Sequence, residues 1–186
     1  MTSKLNIHDT APEALFHMPS WVTPARAQVP EDVAFLSGAA LATLQLVLGR
    51  QDMPQTLLRA RLALSASEAC VAFSGRPERA EDLRDAVHLL RPGDLPGPAG
   101  EVYLCWQRAV ERPVSIKALH RALPLHLPDK IAHWRDAPST CLARTPIAQA
   151  TQVLEAVLTQ SPRAEMSGLI LAEAALSQAL GWDHIV

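Results

Sequence analysis

The sequence predicts an all-α protein, an irregular multi-helix bundle with a central hydrophobic helical hairpin. Alanine and leucine dominate the composition, whereas aromatic residues make up only 4% and β-branched residues are scattered, a composition that favours helices over sheets. Apolar residues (48%) far outnumber charged ones (19%), as expected of a chain with a folded core. Prolines and glycines separate segments in which apolar residues recur with helical periodicity, and their positions predict where each helix begins and ends.

Each helix is predicted from its own start and stop signals. Proline is tolerated in the first turn of a helix, and a proline stands at or just before the start of most of the runs. Thr145 and Ser161 are predicted N-caps, and Gly49, Gly75 and Gly181 are predicted left-handed residues just after helix ends. The predicted helices lie near 31–48, 55–74, 78–90, 98–111, 115–123, 128–136, 146–160 and 162–180.

The first two helices are expected to form the hairpin at the centre of the fold. Residues 33–49 contain no charged residue, so the first helix should be buried on most sides. The second helix has apolar seams on two opposite faces, one of them ending at Phe73, which predicts packing on both sides. We therefore expect a single helical domain over 30–186, preceded by an extended or mobile N-terminal arm over 1–29.

The chain carries the marks of a cytoplasmic protein that does not enter membranes. Its N-terminus lacks a signal-peptide apolar segment, and its most apolar stretch, 33–48, is shorter than a bilayer span. The net charge of -2 predicts no general attraction to nucleic acid or to anionic lipid. Cys70, Cys105 and Cys141 are far apart, which predicts free thiols.

The last helix is expected to present an apolar face to the outside. Its outer face is predicted to carry Leu171, Ala174, Ala175 and Gln178, with Trp182 just beyond the helix end. Such a face does not suit contact with water. We expect a protein partner or a missing C-terminal segment to cover it, so the domain is predicted to be incomplete at its C-terminal face.

Glu173 is the candidate buried polar residue of the same helix, because it interrupts the apolar stripe that contains Ile170 and Leu176. A buried carboxylate must be paired, hydrogen-bonded or protonated. Two interpretations stay open: a structural pair with an arginine or a tryptophan N–H, or an acid or base in a closed pocket. No nucleophile or second carboxylate can be assigned to it from sequence.

The segment 112–135 is a candidate nucleic-acid contact, since it contains five basic residues and one acidic residue. The basic side chains considered for phosphate contact are Lys117, Arg121, Lys130 and Arg135. Two short helices joined by a few residues resemble a helix-turn-helix, but Pro124 and Pro128 are unusual in its turn. A plain helical hairpin with a basic rim is the alternative.

Metal, cofactor and catalytic sites are not predicted. Glu81, Asp85 and His88 share a helix face, but that face lies opposite the apolar stripe. The histidines near Asp129 match no metal-ligand spacing. A phosphate-binding loop for nucleoside triphosphates needs a preceding strand and a following Gly-Lys-Ser/Thr. The string RPGDLPGPAG, 91–100, lacks both, so we predict that it is a stiff joint between two helices in which Asp94 hydrogen-bonds the local backbone.

Two stretches carry a resemblance to a known family. LRDAVHLLRPGDLPGPAGEVYLCWQRA, 83–109, and LAEAALSQALGWDHIV, 171–186, resemble an uncharacterised family of alphaproteobacterial, often plasmid-borne proteins, domain-of-unknown-function family 1403. The similarity runs from about residue 30 onward. Members of that family are longer, so the chain resembles their N-terminal part. The resemblance implies an all-helical bacterial protein and brings no reaction, ligand or cofactor with it.

The function predicted from these features is a non-enzymatic interaction or regulatory module that acts through the apolar face of the last helix. The first alternative is a nucleic-acid-binding factor that uses 112–135. The second alternative is an enzyme of unknown reaction with Glu173 in a pocket.

Overall fold

The computed structural model describes Val22, residues 29–136 and residues 145–186. In these ranges it contains eight α-helices and no strand, which confirms the predicted all-α fold. The predicted arm lies almost entirely outside the described residues, as does Cys141. The helices are α1 Pro30–Leu48, α2 Gln55–Phe73, α3 Ala80–His88, α4 Gly97–Glu111, α5 Ile116–Ala122, α6 Pro128–Arg135, α7 Pro146–Gln160 and α8 Glu165–Ala179.

The chain divides into two compact units, Met1–Met53 and Pro54–Val186. In the first unit, α1 has no buried residue, so the prediction that this helix is buried on most sides is wrong. An apolar composition on every face does not itself supply a packing partner. Among the described helices, α1 alone is long enough and apolar enough, with a mean hydropathy of 1.4, to cross a membrane. Core helices of soluble proteins and signal sequences can have the same length and hydropathy.

The second unit is built around a core in which α4, α5, α6, α7 and α8 meet. Its largest fully buried side chains include Trp134, Leu119, Ile131 and Ile170. A smaller cluster joins α2, α3 and α4. Burial of side chains of this size is the main stabilising contribution to the unit.

Helix α8 packs closely on α7 at Gly168. A Cβ atom added to Gly168 would lie 2.8 Å from Leu154 Cδ1 and 3.4 Å from Val157 Cγ1. Glycine at this position therefore permits the close approach of the two helices.

The face of α8 that was expected to be uncovered is part of the core. Leu171 and Ala174 are 0% exposed and Ala175 is 8% exposed, so the prediction of an open apolar face is wrong. The small side chains along this face allow α8 to pack closely among its neighbouring helices. Gln178 is exposed and Trp182 is half-buried.

The joint between α3 and α4 has the predicted form. Gly93 and Gly97 have φ angles of 97° and 69°, which only glycine adopts without strain, and the Asp94 carboxylate accepts a hydrogen bond from the Arg91 amide at 3.1 Å. Pro98 lies in the first turn of α4.

Most helix ends follow their predicted signals, with two corrections. The Thr145 hydroxyl accepts from the Ala148 amide at 3.2 Å as an N-cap, and Gly75 and Gly181 are left-handed. Ser161 instead ends α7, and a turn separates it from α8, which begins at Glu165. Gly49 ends α1 in a right-handed conformation, with φ of -73°.

Candidate functional site

An apolar groove borders Glu173 within the second unit. It has a volume of about 450 Å³, in the range of small-molecule sites. Helices α2, α4, α7 and α8 contribute to it. Its lining residues are Ala66, Ala69, Cys70, Phe73, Trp106, Leu154, Leu158, Glu165, Leu169 and Glu173, and we call it the Glu173 groove.

The sequence of α2 explains why this space stays open. The groove-lining residues of α2 follow the spacing i, i+3, i+4, i+7, so they share one helix face. Two of them are alanines, whose side chains are too short to fill the gap toward α8. This is the seam that was predicted to pack in the core, and that prediction is wrong at its end, since Phe73 is 81% exposed.

Glu173 borders the groove and has no partner among the described residues. Its carboxylate forms no hydrogen bond or ion pair with any described residue, and burial raises the pKa of the carboxyl group. The structural interpretation, a pair with an arginine or a tryptophan N–H, is therefore not met in the described residues. The groove is open to solvent on one side, so the closed pocket of the other interpretation is not present either.

Trp106 places a second polar group at the groove, an indole N–H that faces the thiol of Cys70. Its side chain is 5% exposed. In the described part of the chain its Nε1–H makes no hydrogen bond of full geometry, but it interacts with the Cys70 sulfur closely enough to lower the pKa of that thiol against the larger, raising effect of burial. Trp134 differs, because its Nε1–H donates to Gln160 Oε1 at 3.0 Å. Sulfur is a weak hydrogen-bond acceptor, so among the described residues the Trp106 N–H is only weakly satisfied.

Cys70 lies beside Trp106 in the same groove. Burial raises the pKa of its thiol, and the neighbouring Trp106 indole opposes this with a smaller effect. The thiol is therefore protonated at neutral pH and acts as an apolar wall more than as a nucleophile.

The charged side chains that line the Glu173 groove in the described ranges are both acidic. They are Glu165 and Glu173, eight residues apart on α8, with Leu169 between them. That spacing places the two carboxylates about 12 Å apart along the helix axis. The described lining residues include no lysine, arginine or histidine, so this part of the groove favours cations over anions.

The four predicted nucleic-acid contacts do not form one surface. Three of them are engaged within the chain. Arg121 pairs with Glu111 at 3.2 Å, and Arg135 pairs with Asp136 at 2.9 Å. Lys130 lies 4.6 Å from the centre of the Trp134 ring and donates to Ser161 Oγ at 3.3 Å.

Lys117 and Arg121 instead border two pockets that share Arg121. One pocket, of about 550 Å³, also contains Arg112 and His120. The other, of about 430 Å³, adds Arg59 of α2 and Arg108 of α4. The last two residues were missed at the sequence level because they lie on other helices. We call these the basic pockets.

His126 makes a further buried contact. Its Nε2 lies 2.9 Å from Ser167 Oγ, and its ring meets Trp134 edge-on, with the centroids 5.1 Å apart. Burial, and to a lesser extent Lys130, lowers the pKa of His126. Ser167 is 5% exposed, so this pair satisfies a buried hydroxyl group and is not placed to meet a substrate.

The remaining sequence candidates do not converge on a metal. Glu81, Asp85 and His88 are exposed on α3 while Leu83 on the opposite face is buried. Within the described ranges, no three His, Cys, Asp or Glu side chains are grouped as metal ligands would be.

Comparison with known proteins gives one family. The family described as "Protein of unknown function (DUF1403)" matches residues 6–186. No curated protein and no solved structure matches the chain.

Proposed function

The chain belongs to the DUF1403 family, whose function is unknown, and we propose from its own geometry that it is a non-enzymatic helical binding module that takes up an apolar ligand in the Glu173 groove. The observation that carries this proposal is an apolar groove of about 450 Å³. It is bordered by Glu173, which has no partner among the described residues, and by the Trp106 N–H, whose described neighbour is the weak acceptor Cys70. Sites for small molecules combine these features: apolar walls and a few polar groups that orient the ligand.

This proposal moves the interaction site away from the α8 face first predicted. Leu171, Ala174 and Ala175 belong to the core, so they supply no reason for a protein partner or an additional segment at that face. The groove lies on the other side of the same helix, where Leu169 and Glu173 are located.

The test is binding of Nile red, a neutral apolar dye, followed by its fluorescence. We expect saturable binding with one site on the full chain. Ala69→Trp, which places a large side chain at the exposed edge of the groove, should weaken binding about tenfold or more. The matched control is Ser65→Trp, at an exposed position of α2 outside the groove, which should leave binding unchanged. Equal binding by the wild type and Ala69→Trp would contradict the proposal.

A second candidate function is contact with nucleic acid through the basic pockets. Five cationic side chains surround these pockets and the acidic residue among their lining residues is Glu111. Such a concentration of positive charge attracts phosphate groups. We expect salt-sensitive retention on DNA that is lost in Lys117→Ala/Arg121→Ala and kept in Lys130→Ala, because Lys130 lines neither of the basic pockets. No retention at low salt would remove this candidate.

A further inference from the structure

Resting on the proposed binding role of the Glu173 groove, we propose that its ligand is a hydrophobic organic cation: a molecule with an alkyl or aryl body and an ammonium group that pairs with the Glu173 carboxylate. The inference goes beyond an apolar site, since it assigns the charge of the ligand and the residue that recognises that charge.

The charge follows from the residues that line the groove. Glu173 has no donor of its own in the described residues, and Glu165, the other charged residue of the groove, is also acidic. An ammonium group supplies both the counter-charge and the N–H donors that a partly buried carboxylate lacks. A fatty acid or another anionic amphiphile would instead bring a third negative charge next to two existing ones, which is unfavourable.

The apolar part of the proposed ligand follows from the apolar residues that line the Glu173 groove. Between the two carboxylates of α8 the groove presents Leu169, and across from them it presents Leu154, Leu158 and the alanine face of α2. A small, strongly hydrated cation such as Na⁺ would gain nothing from these surfaces. A cation with an alkyl chain can bury that chain against them while its charged end stays near Glu173.

The aromatic residues of the groove agree with the same ligand class. Trp106 and Phe73 both border the groove, and aromatic faces attract organic ammonium ions. Among the described residues the Trp106 Nε1–H meets only the Cys70 sulfur, which is a weak acceptor. A hydroxyl or ether oxygen on the ligand would be a stronger acceptor for this donor.

The experiment compares three compounds of one chain length by calorimetry with the full chain at neutral pH: octylamine, 1-octanol and octanoate. We expect octylamine to bind about tenfold or more tightly than 1-octanol, the usual gain from a charge-assisted hydrogen bond, and octanoate to bind most weakly. Glu173→Gln should remove the preference for octylamine and leave 1-octanol binding unchanged. The matched control Glu155→Gln, at an exposed position of α7 outside the groove, should keep the preference.

The outcomes separate this inference from the function on which it rests. Equal binding of octylamine and 1-octanol to the wild type, a measurement that needs no variant, overturns the cation inference while the apolar site stands. A preference for octylamine that survives Glu173→Gln overturns it as well. If none of the three compounds binds and Nile red binding is insensitive to Ala69→Trp, the proposed function fails together with the inference.

Discussion

Replacing Glu173 by glutamine is expected to stabilise the protein at neutral pH. The carboxylate lies in an apolar groove where no described residue supplies a donor or a cation, and burial raises the pKa of this group. Glutamine has nearly the same shape and no charge to desolvate. A buried group left unpaired costs about 1–3 kcal/mol, and because Glu173 is only partly buried we expect a gain near the lower end, about 1 kcal/mol. For a unit of this size the corresponding rise in Tm is about 3 °C.

The effect should depend on pH with a definite sign. Well below the ordinary glutamic acid pKa of 4.5, the carboxyl group is protonated in both the folded and the unfolded chain, so it costs the fold no ionisation energy. As the pH rises from that ordinary value to the raised pKa of the folded state, the unfolded chain ionises first, and the wild type loses stability relative to Glu173→Gln. The difference levels off above the raised pKa, where the carboxyl group is ionised in both states.

Urea unfolding of the wild type and Glu173→Gln at pH values from 4 to 8 measures this curve. Glu155→Gln serves as the control, because Glu155 is exposed and its replacement should change stability by less than about 0.5 kcal/mol. A Glu173→Gln variant that is several kcal/mol less stable at neutral pH would refute the reasoning, since that result requires a cationic partner for Glu173 in the folded chain.

Two further predictions concern packing and a histidine. Gly100→Ala should destabilise the protein by about 1–3 kcal/mol, because the added Cβ would lie 2.8 Å from Cβ of the rigid Pro96 ring and 3.4 Å from Ala86 Cβ. Thermal unfolding measures the loss of stability, and an unchanged Tm would contradict the prediction. Burial lowers the pKa of His126 below 6.5, so its contribution to stability is present above pH 6.5 and lost as the pH falls through the lowered pKa. The stability difference between the wild type and His126→Gln in urea should therefore shrink from pH 7.5 to pH 5, and a constant difference would show that His126 does not titrate with folding.

Helix positions could be predicted from the sequence because their signals are local. A proline such as Pro146 constrains its own φ angle and lacks the N–H that a first turn leaves unpaired, and the cap at Thr145 acts within three residues. Ser161 shows the limit of such signals. Its hydroxyl and the following proline suit a helix start, yet the same Ser-Pro pair suits the turn that the chain actually forms before α8.

The orientation of α8 could not be predicted in the same way. A helix with apolar residues on nearly every face gives no periodic signal for the side that meets the core. What decides it is the fit with α7, through Gly168 and the small residues beside it, and that fit depends on residues more than ten positions away. The presence of a partly buried Glu173 was nevertheless predictable, since one carboxylate interrupts an apolar stripe.

The groove itself depends on contacts that no single segment contains. Trp106 comes from α4, Cys70 from α2 and Leu154 from α7, and nothing in the spacing of these residues along the chain places them together. The same applies to Arg59 and Arg108 at the basic pockets.

The close contact at Gly168 links the shape of the groove to the packing of α8 against α7. Leu154 touches the position of a Gly168 Cβ on one side and lines the groove on the other. A side chain larger than hydrogen at position 168 would have to displace Leu154 Cδ1, and would therefore shift one wall of the groove. Substitutions at the contact between α7 and α8 are thus expected to change the shape of the groove while the residues of α2 and α4 that line it stay the same.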